Sequence, residues 1–168
     1  MMRSSPLRLK ELFFPQVSVK ALVPSDSEKA AREMPLDDLD ISFGFDIDNA
    51  GKVANAGLKV ATKDKSSETA GQSGLYQVQI EVYGNFDVIG PEHTDETAVY
   101  LRKFAAASAL VGAAREQIAM MTSRGPWGVV MLPIISIDRV VGPPPNREVL
   151  GVAPVKKVVN AKRLPPKK

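Results

Sequence analysis

The side chains able to do chemistry are few, and their spacing does not assemble a site. The single histidine, His93, lies in Pro91-Glu92-His93-Thr94. A lone imidazole can act as a general base near neutral pH, but this context reads as a solvated loop residue just before a helix. There is no cysteine, so there is no thiolate nucleophile, no Cys-ligated zinc and no disulfide. Asp37, Asp38, Asp40, Asp46 and Asp48 form an acidic run. A calcium loop opening at Asp46 would need a glutamate at its twelfth position, and that position is Gly57. These acids read instead as the wet face of a strand and its turn. Gly84 and Gly90 are too far apart, in apolar surroundings, to make a phosphate cradle. A Ser–Lys or carboxylate site is the remaining enzymatic alternative. The expectation is a protein that is not an enzyme, with no catalytic residue, no metal and no cofactor.

What the chain has in excess is apolar periodicity, which defines its elements. Of its 168 residues 44% are hydrophobic and 24% charged, which suits one globular domain with a tail. No run approaches the ~18 apolar residues of a membrane span, and no apolar leader follows the first methionines. Residues 14–23 alternate Val17, Val19, Ala21 and Val23 with polar partners, predicting a half-buried strand. Residues 39–47 alternate without a break: Leu39, Ile41, Phe43, Phe45 and Ile47 on one face, polar residues and Gly44 on the other. A weaker strand is expected at 57–63 and a fourth at 75–90, where Gly84 suggests a bulge or bend. After Pro91 the period changes. Thr94 or Asp95 can N-cap, and Tyr100, Phe104, Ala107, Val111, Ala114, Ile118 and Met121 draw a continuous apolar stripe along a long helix. Gly125-Pro126 ends that helix. Residues 129–137 read as an extended apolar segment, at a sheet edge or outside a sheet because of Pro133. The fold class expected is α+β, an antiparallel sheet of four strands followed by a long helix.

The net charge of +3 hides an asymmetry. Residues 139–168 hold eight Lys and Arg against one acid, Glu148, so this Pro-rich tail carries +7 and the rest −4. Charge alone would suit nucleic acid, but no aromatic follows Trp127 to stack on bases, which argues against that partner. The expected organisation is a flexible start over 1–12, a domain over 13–141 and a basic tail over 142–168.

The apolar surplus exceeds what one sheet and one helix need, and exposed surface of that kind marks an oligomer interface or a binding groove. At the level of residues the chain resembles the SecB family of export chaperones. The resemblance is strongest over 75–137: Asn85-Phe86-Asp87-Val88-Ile89-Gly90, then Ala114-Arg115-Glu116, Ser123-Arg124-Gly125, an aromatic at Trp127 and the Leu132-Pro133 step. It implies a cytoplasmic holdase without ATPase activity that keeps unfolded preproteins competent for translocation. It also implies a homotetramer built as a dimer of dimers, with no membrane insertion. Client contacts are then expected from Phe13, Phe14, Tyr76, Phe86, Trp127 and Met131, and oligomer contacts from Tyr100, Phe104, Val111 and Ile118. Two departures from the family weigh against docking of the translocation ATPase SecA. The outer-sheet positions that are acidic in export members fall on Gln16, Lys20 and Gln79, and the tail is basic. A SecB-like chaperone dedicated to one client such as an antitoxin, or an assembly scaffold, is the alternative.

Overall fold

The computed structural model describes residues 5–23, 34–63, 75–90 and 95–145. His93 and the basic tail from residue 146 onward lie outside them. Four strands form one antiparallel sheet: β1 (Leu7–Ala21), β2 (Leu39–Ile47), β3 (Val53–Thr62) and β4 (Tyr76–Val88). Their spatial order is β1-β4-β3-β2, a Greek-key order in which the hairpin-linked β2, β3 and β4 are joined at the far side by β1. A long helix follows, α1 (Glu96–Thr122), then an extended stretch and a short helix, α2 (Ile137–Val141). The architecture is thus the α+β fold expected, four antiparallel strands followed by a long helix and an extended apolar segment.

The β2–β3 hairpin shows how local sequence sets register. Asp48 Oδ1 accepts the backbone N–H groups of Lys52 at 2.7 Å and Val53 at 3.0 Å, closing the turn, and Gly51 supplies a positive φ of 68° there. One of the acids that resembled a calcium ligand is therefore committed to the backbone. Among the described residues no group of three or more His, Asp or Glu side chains is placed to hold a metal ion.

β1 enters the sheet at Leu7, earlier than the boundary expected at residue 13. Its register against β4 slips by one residue between Leu9 and Glu11 and again between Phe13 and Gln16. Each one-residue bulge inverts which side chains face inward. Leu7 and Leu9, then Leu12 and Phe14, then Val17, Val19 and Ala21 share the inner side, while Phe13 turns outward opposite Tyr83. Pro15, without an N–H, is accommodated at the second bulge of this edge strand.

The core lies between the inner face of the sheet and α1. Ala54, Ala56, Leu58 and Val60 of β3 and Val78, Ile80, Val82 and Phe86 of β4 are buried there. Gly84 sits in the same row, and a Cβ on it would meet the Phe86 ring at 2.7 Å and Leu110 at 3.1 Å. Its role is close helix approach; the bulges expected near it are in β1 instead. Asp95 caps α1, its Oδ1 accepting the Ala98 N–H at 3.3 Å. Buried on α1 are Tyr100, Arg102, Ala106, Ala107, Leu110, Val111, Ala114, Ile118 and Thr122. The expected stripe is thus recovered at five positions, but Phe104 and Met121 are exposed. Alanines on the remaining faces leave apolarity spread nearly all round α1, so spacing alone cannot select the inward face.

Candidate binding surface

The reversal after α1 is built on two hydroxyls. Tyr76, at the start of β4, is buried, and its Oη accepts the Trp127 backbone N–H at 3.1 Å. The same oxygen lies 3.3 Å from the carbonyls of Thr122 and of Gly128. Thr122 Oγ1, fully buried, accepts the Val130 N–H at 3.0 Å and lies 2.8 Å from the Ile118 carbonyl. Trp127 Nε1 donates to the Leu22 carbonyl at 2.8 Å, fastening the loop to the end of β1. Buried backbone groups need such partners, and these side chains supply them where no regular element can.

From this anchored loop, residues 129–136 run extended along the domain. Val130, Leu132 and Ile135 are buried, while Val129, Met131 and Ile134 face outward, Ile134 at 84% exposure. Both sides of the stretch are apolar, and the described residues cover only one. The exposed apolar groups of α1, Leu101, Phe104, Met120 and Met121, leave it in the same condition. Methionines give such a surface adaptable shape. Beyond Ser136 the chain turns into α2, which packs on α1 and β2. Tyr100 Oη donates to Asp138 Oδ1 at 2.7 Å and ties the two helices. Burial, with that hydrogen bond and the Asp138 charge, pushes the Tyr100 phenol up to about 12.

The residues singled out in the sequence divide by position. Phe13 and Met131 are exposed, Phe14 and Trp127 are half-buried against the core, and Tyr76 and Phe86 are inside it. A ligand on the folded surface reaches the first two directly and Tyr76 and Phe86 not at all. Of the four expected at an oligomer interface, Phe104 is open at 38% exposure, whereas Tyr100, Val111 and Ile118 are buried within this chain. Val129 and Ile134 were missed. Their signal was present in 129–137, where apolar residues follow one another without the polar alternation of a covered strand. The structure does not bring Phe13 to this surface; it lies on the other side of the sheet.

What the fold and this surface define is a small α+β protein with a helix and an extended segment left apolar on their outer sides. No family model and no curated protein matches the chain. Among solved structures it is similar to the SecB-like chaperone Rv1957 of Mycobacterium tuberculosis in complex with a ChAD peptide from the Rv1956 HigA1 antitoxin. The identity is 16% and the TM-score 0.45, over 78% of this chain and 91% of that one. Among the described residues no helix is long and apolar enough to cross a membrane.

Proposed function

We propose that the chain is an ATP-independent holdase that binds unfolded polypeptide along its uncovered apolar surface. The observation that carries this reading is the 129–136 segment, anchored by Val130, Leu132 and Ile135 and presenting Val129, Met131 and Ile134 outward. Contact between apolar groups is non-directional, so such a row accepts many sequences without a fixed hydrogen-bond pattern. Binding to unfolded rather than folded clients lowers the free concentration of the aggregating species by mass action. Met131 and Trp127 belong to the client surface in this reading. Phe104, with Leu101 beside it on the exposed side of α1, meets a second copy, and the working assembly is a homotetramer in the cytoplasm.

Two versions of this role differ in the destination of the client. General export requires delivery to SecA. The positions that would dock it, Gln16, Lys20 and Gln79, carry no acid, and Gln16 and Lys20 are exposed on the sheet. A SecB-like chaperone kept for one client, such as an antitoxin, fits that chemistry better. The deciding experiment is size-exclusion chromatography with light scattering, with and without an unfolded model protein and without nucleotide. The expected particle is near 72 kDa, four copies of 18.1 kDa, and it binds the client. A monomer that leaves the client free to aggregate would overturn the proposal.

A further inference from the structure

The outer face of the sheet, turned away from α1, is not a uniformly polar surface. One row of directly paired residues crosses all four strands: Phe13 of β1, Tyr83 of β4, Gly57 of β3 and Gly44 of β2. The Phe13 and Tyr83 rings lie 5.7 Å apart between centroids and 15° from parallel. Phe13 reaches this row because the bulges of β1 turn it outward. Tyr83 leans over Gly57, where a Cβ would lie 2.7 Å from its Cε1, and nothing lies within 4 Å of a Cβ built on Gly44. Two aromatic rings thus continue into a floor without side chains, in a depression of about 900 Å³. On one side it is walled by Lys59 and Glu81, joined at 2.8 Å. On the other side stand Asp46, Asn55 and Asn85, and Asn85 Oδ1 is shut off from water with no hydrogen-bond donor. At the β2 end Asp46 lines the trough with an exposed carboxylate, while Asp40, further along the same strand, lies 3.9 Å from Lys63 Nζ.

An aromatic groove with an exposed carboxylate, Asp46, at one end suits a segment that is rich in proline and basic. Proline packs its ring on aromatic faces, and a polyproline II strand is ordered before it binds. Lysine and arginine then meet the Asp46 carboxylate. This chain carries such a segment: Arg163-Leu164-Pro165-Pro166-Lys167-Lys168, the end of a stretch from 146 that holds seven Lys and Arg against Glu148. The geometry also permits it. α2 packs on α1 and β2, so the chain reaches the β2 edge of the sheet shortly before Pro145 and has only that edge to round. The 19 residues from there to Leu164 reach up to roughly 65 Å when extended, while the four strands span only about 14 Å. We propose that the Pro- and Lys/Arg-rich C-terminal segment of the same chain docks in this outer trough, on Phe13 and Tyr83. Tethering makes the encounter intramolecular and supplies a high effective concentration to a weak site. The proposal does not rest on the holdase reading, because the trough is on the opposite face of the sheet.

The absence of native cysteine allows a direct test in the full-length chain. Gly44→Cys, at a position with open space, is combined with Leu164→Cys, and formation of the within-chain disulfide under mild oxidant is followed by non-reducing gel and mass. The reference pair is Ser108→Cys with Leu164→Cys, on the exposed side of α1. The trough pair is expected to close at least tenfold faster than the reference. Tyr83→Ala should bring it down to the reference rate, and so should the tail variant Arg163→Glu/Lys167→Glu, which changes no residue of the sheet or of α1. Added salt should slow it. Equal rates for the two pairs, a rate unmoved by Tyr83→Ala and by the tail variant, or a disulfide formed only between chains would each overturn the proposal.

Discussion

The hydroxyl of Tyr76 occupies the place where a side chain on Gly125 would begin. A Cβ there would collide with that hydroxyl and lie 2.9 Å and 3.0 Å from the ring carbons Cε1 and Cζ. The ring cannot step aside, because it is buried on β4 and its Oη accepts the Trp127 N–H. Gly125→Ala should therefore destabilise by about 1–3 kcal/mol through overpacking. Tyr76→Phe should cost about 1–3 kcal/mol by stranding that N–H. The double variant should cost clearly less than the two together, since removing the hydroxyl makes room for the methyl. Urea midpoints of the four proteins measure this, and strict additivity would deny the contact.

The same loop shows where sequence reasoning stops. Gly125-Pro126 announced the end of α1, and the unbroken alternation of 39–47 marked β2 to the residue, because both are local signals. The long helix was legible from its cap and length, but its inward face was not: alanines make several faces equally apolar, and only the sheet decides that Ile118 faces in and Phe104 out. β1 was half legible, since two bulges shift the phase of its period-two pattern and hide Leu7 to Leu12 from a search for one phase. The role of Tyr76 was not legible at all. An aromatic in a strand gives no sign that its hydroxyl will serve a loop 51 residues later. Helix α2 was missed because five residues are too few to show a period, and Tyr100 and Asp138 hold it across the fold.

The tie between those helices carries a pH dependence at the alkaline end. An ordinary tyrosine ionises near ~10, so the unfolded chain loses the Tyr100 proton there. The folded chain holds it to about 12, through burial and then the Asp138 bond and charge. The folded state binds the extra proton, so the contribution is whole below about pH 10 and disappears between about pH 10 and 12. Urea unfolding across that range should show stability falling, and Tyr100→Phe should flatten this part of the curve while lowering stability below it. A slope unchanged by the substitution would mean that other groups produce it.

Ile118 and Phe104 separate core from interface on one helix. Ile118 is fully buried, so Ile118→Ala should cost about 2–5 kcal/mol in unfolding. Phe104 is open at 38% and its ring lies 6.2 Å from that of Tyr100, so Phe104→Ser should cost a dissociated chain about 1 kcal/mol, clearly less than Ile118→Ala. In the proposed assembly it should still shift light scattering toward smaller particles. If Phe104→Ser lowered intrinsic stability as much as Ile118→Ala and left particle size alone, α1 would have no interface on its outer side.

The outward row of the extended segment gives the sharpest test of client binding. Val129, Met131 and Ile134 contribute little to this chain's own core, being exposed at 52%, 45% and 84%, whereas Val130, Leu132 and Ile135 anchor the stretch. Replacing the outward three by serine should cost at most about 1.5 kcal/mol in all, because each surface substitution usually stays within about 0.5 kcal/mol. The same replacement removes apolar area that a client would cover, at roughly 25 cal/mol per Å², so suppression of aggregation should need several-fold more protein. Leu132→Ser should do the reverse, destabilising the fold by more than about 2 kcal/mol through an unsatisfied buried hydroxyl and a cavity. The two substitutions thus separate affinity from stability on adjacent residues of one strand of chain. Equal client protection by the wild type and the outward triple variant would place the client surface elsewhere, with the exposed groups of α1 next to be tested.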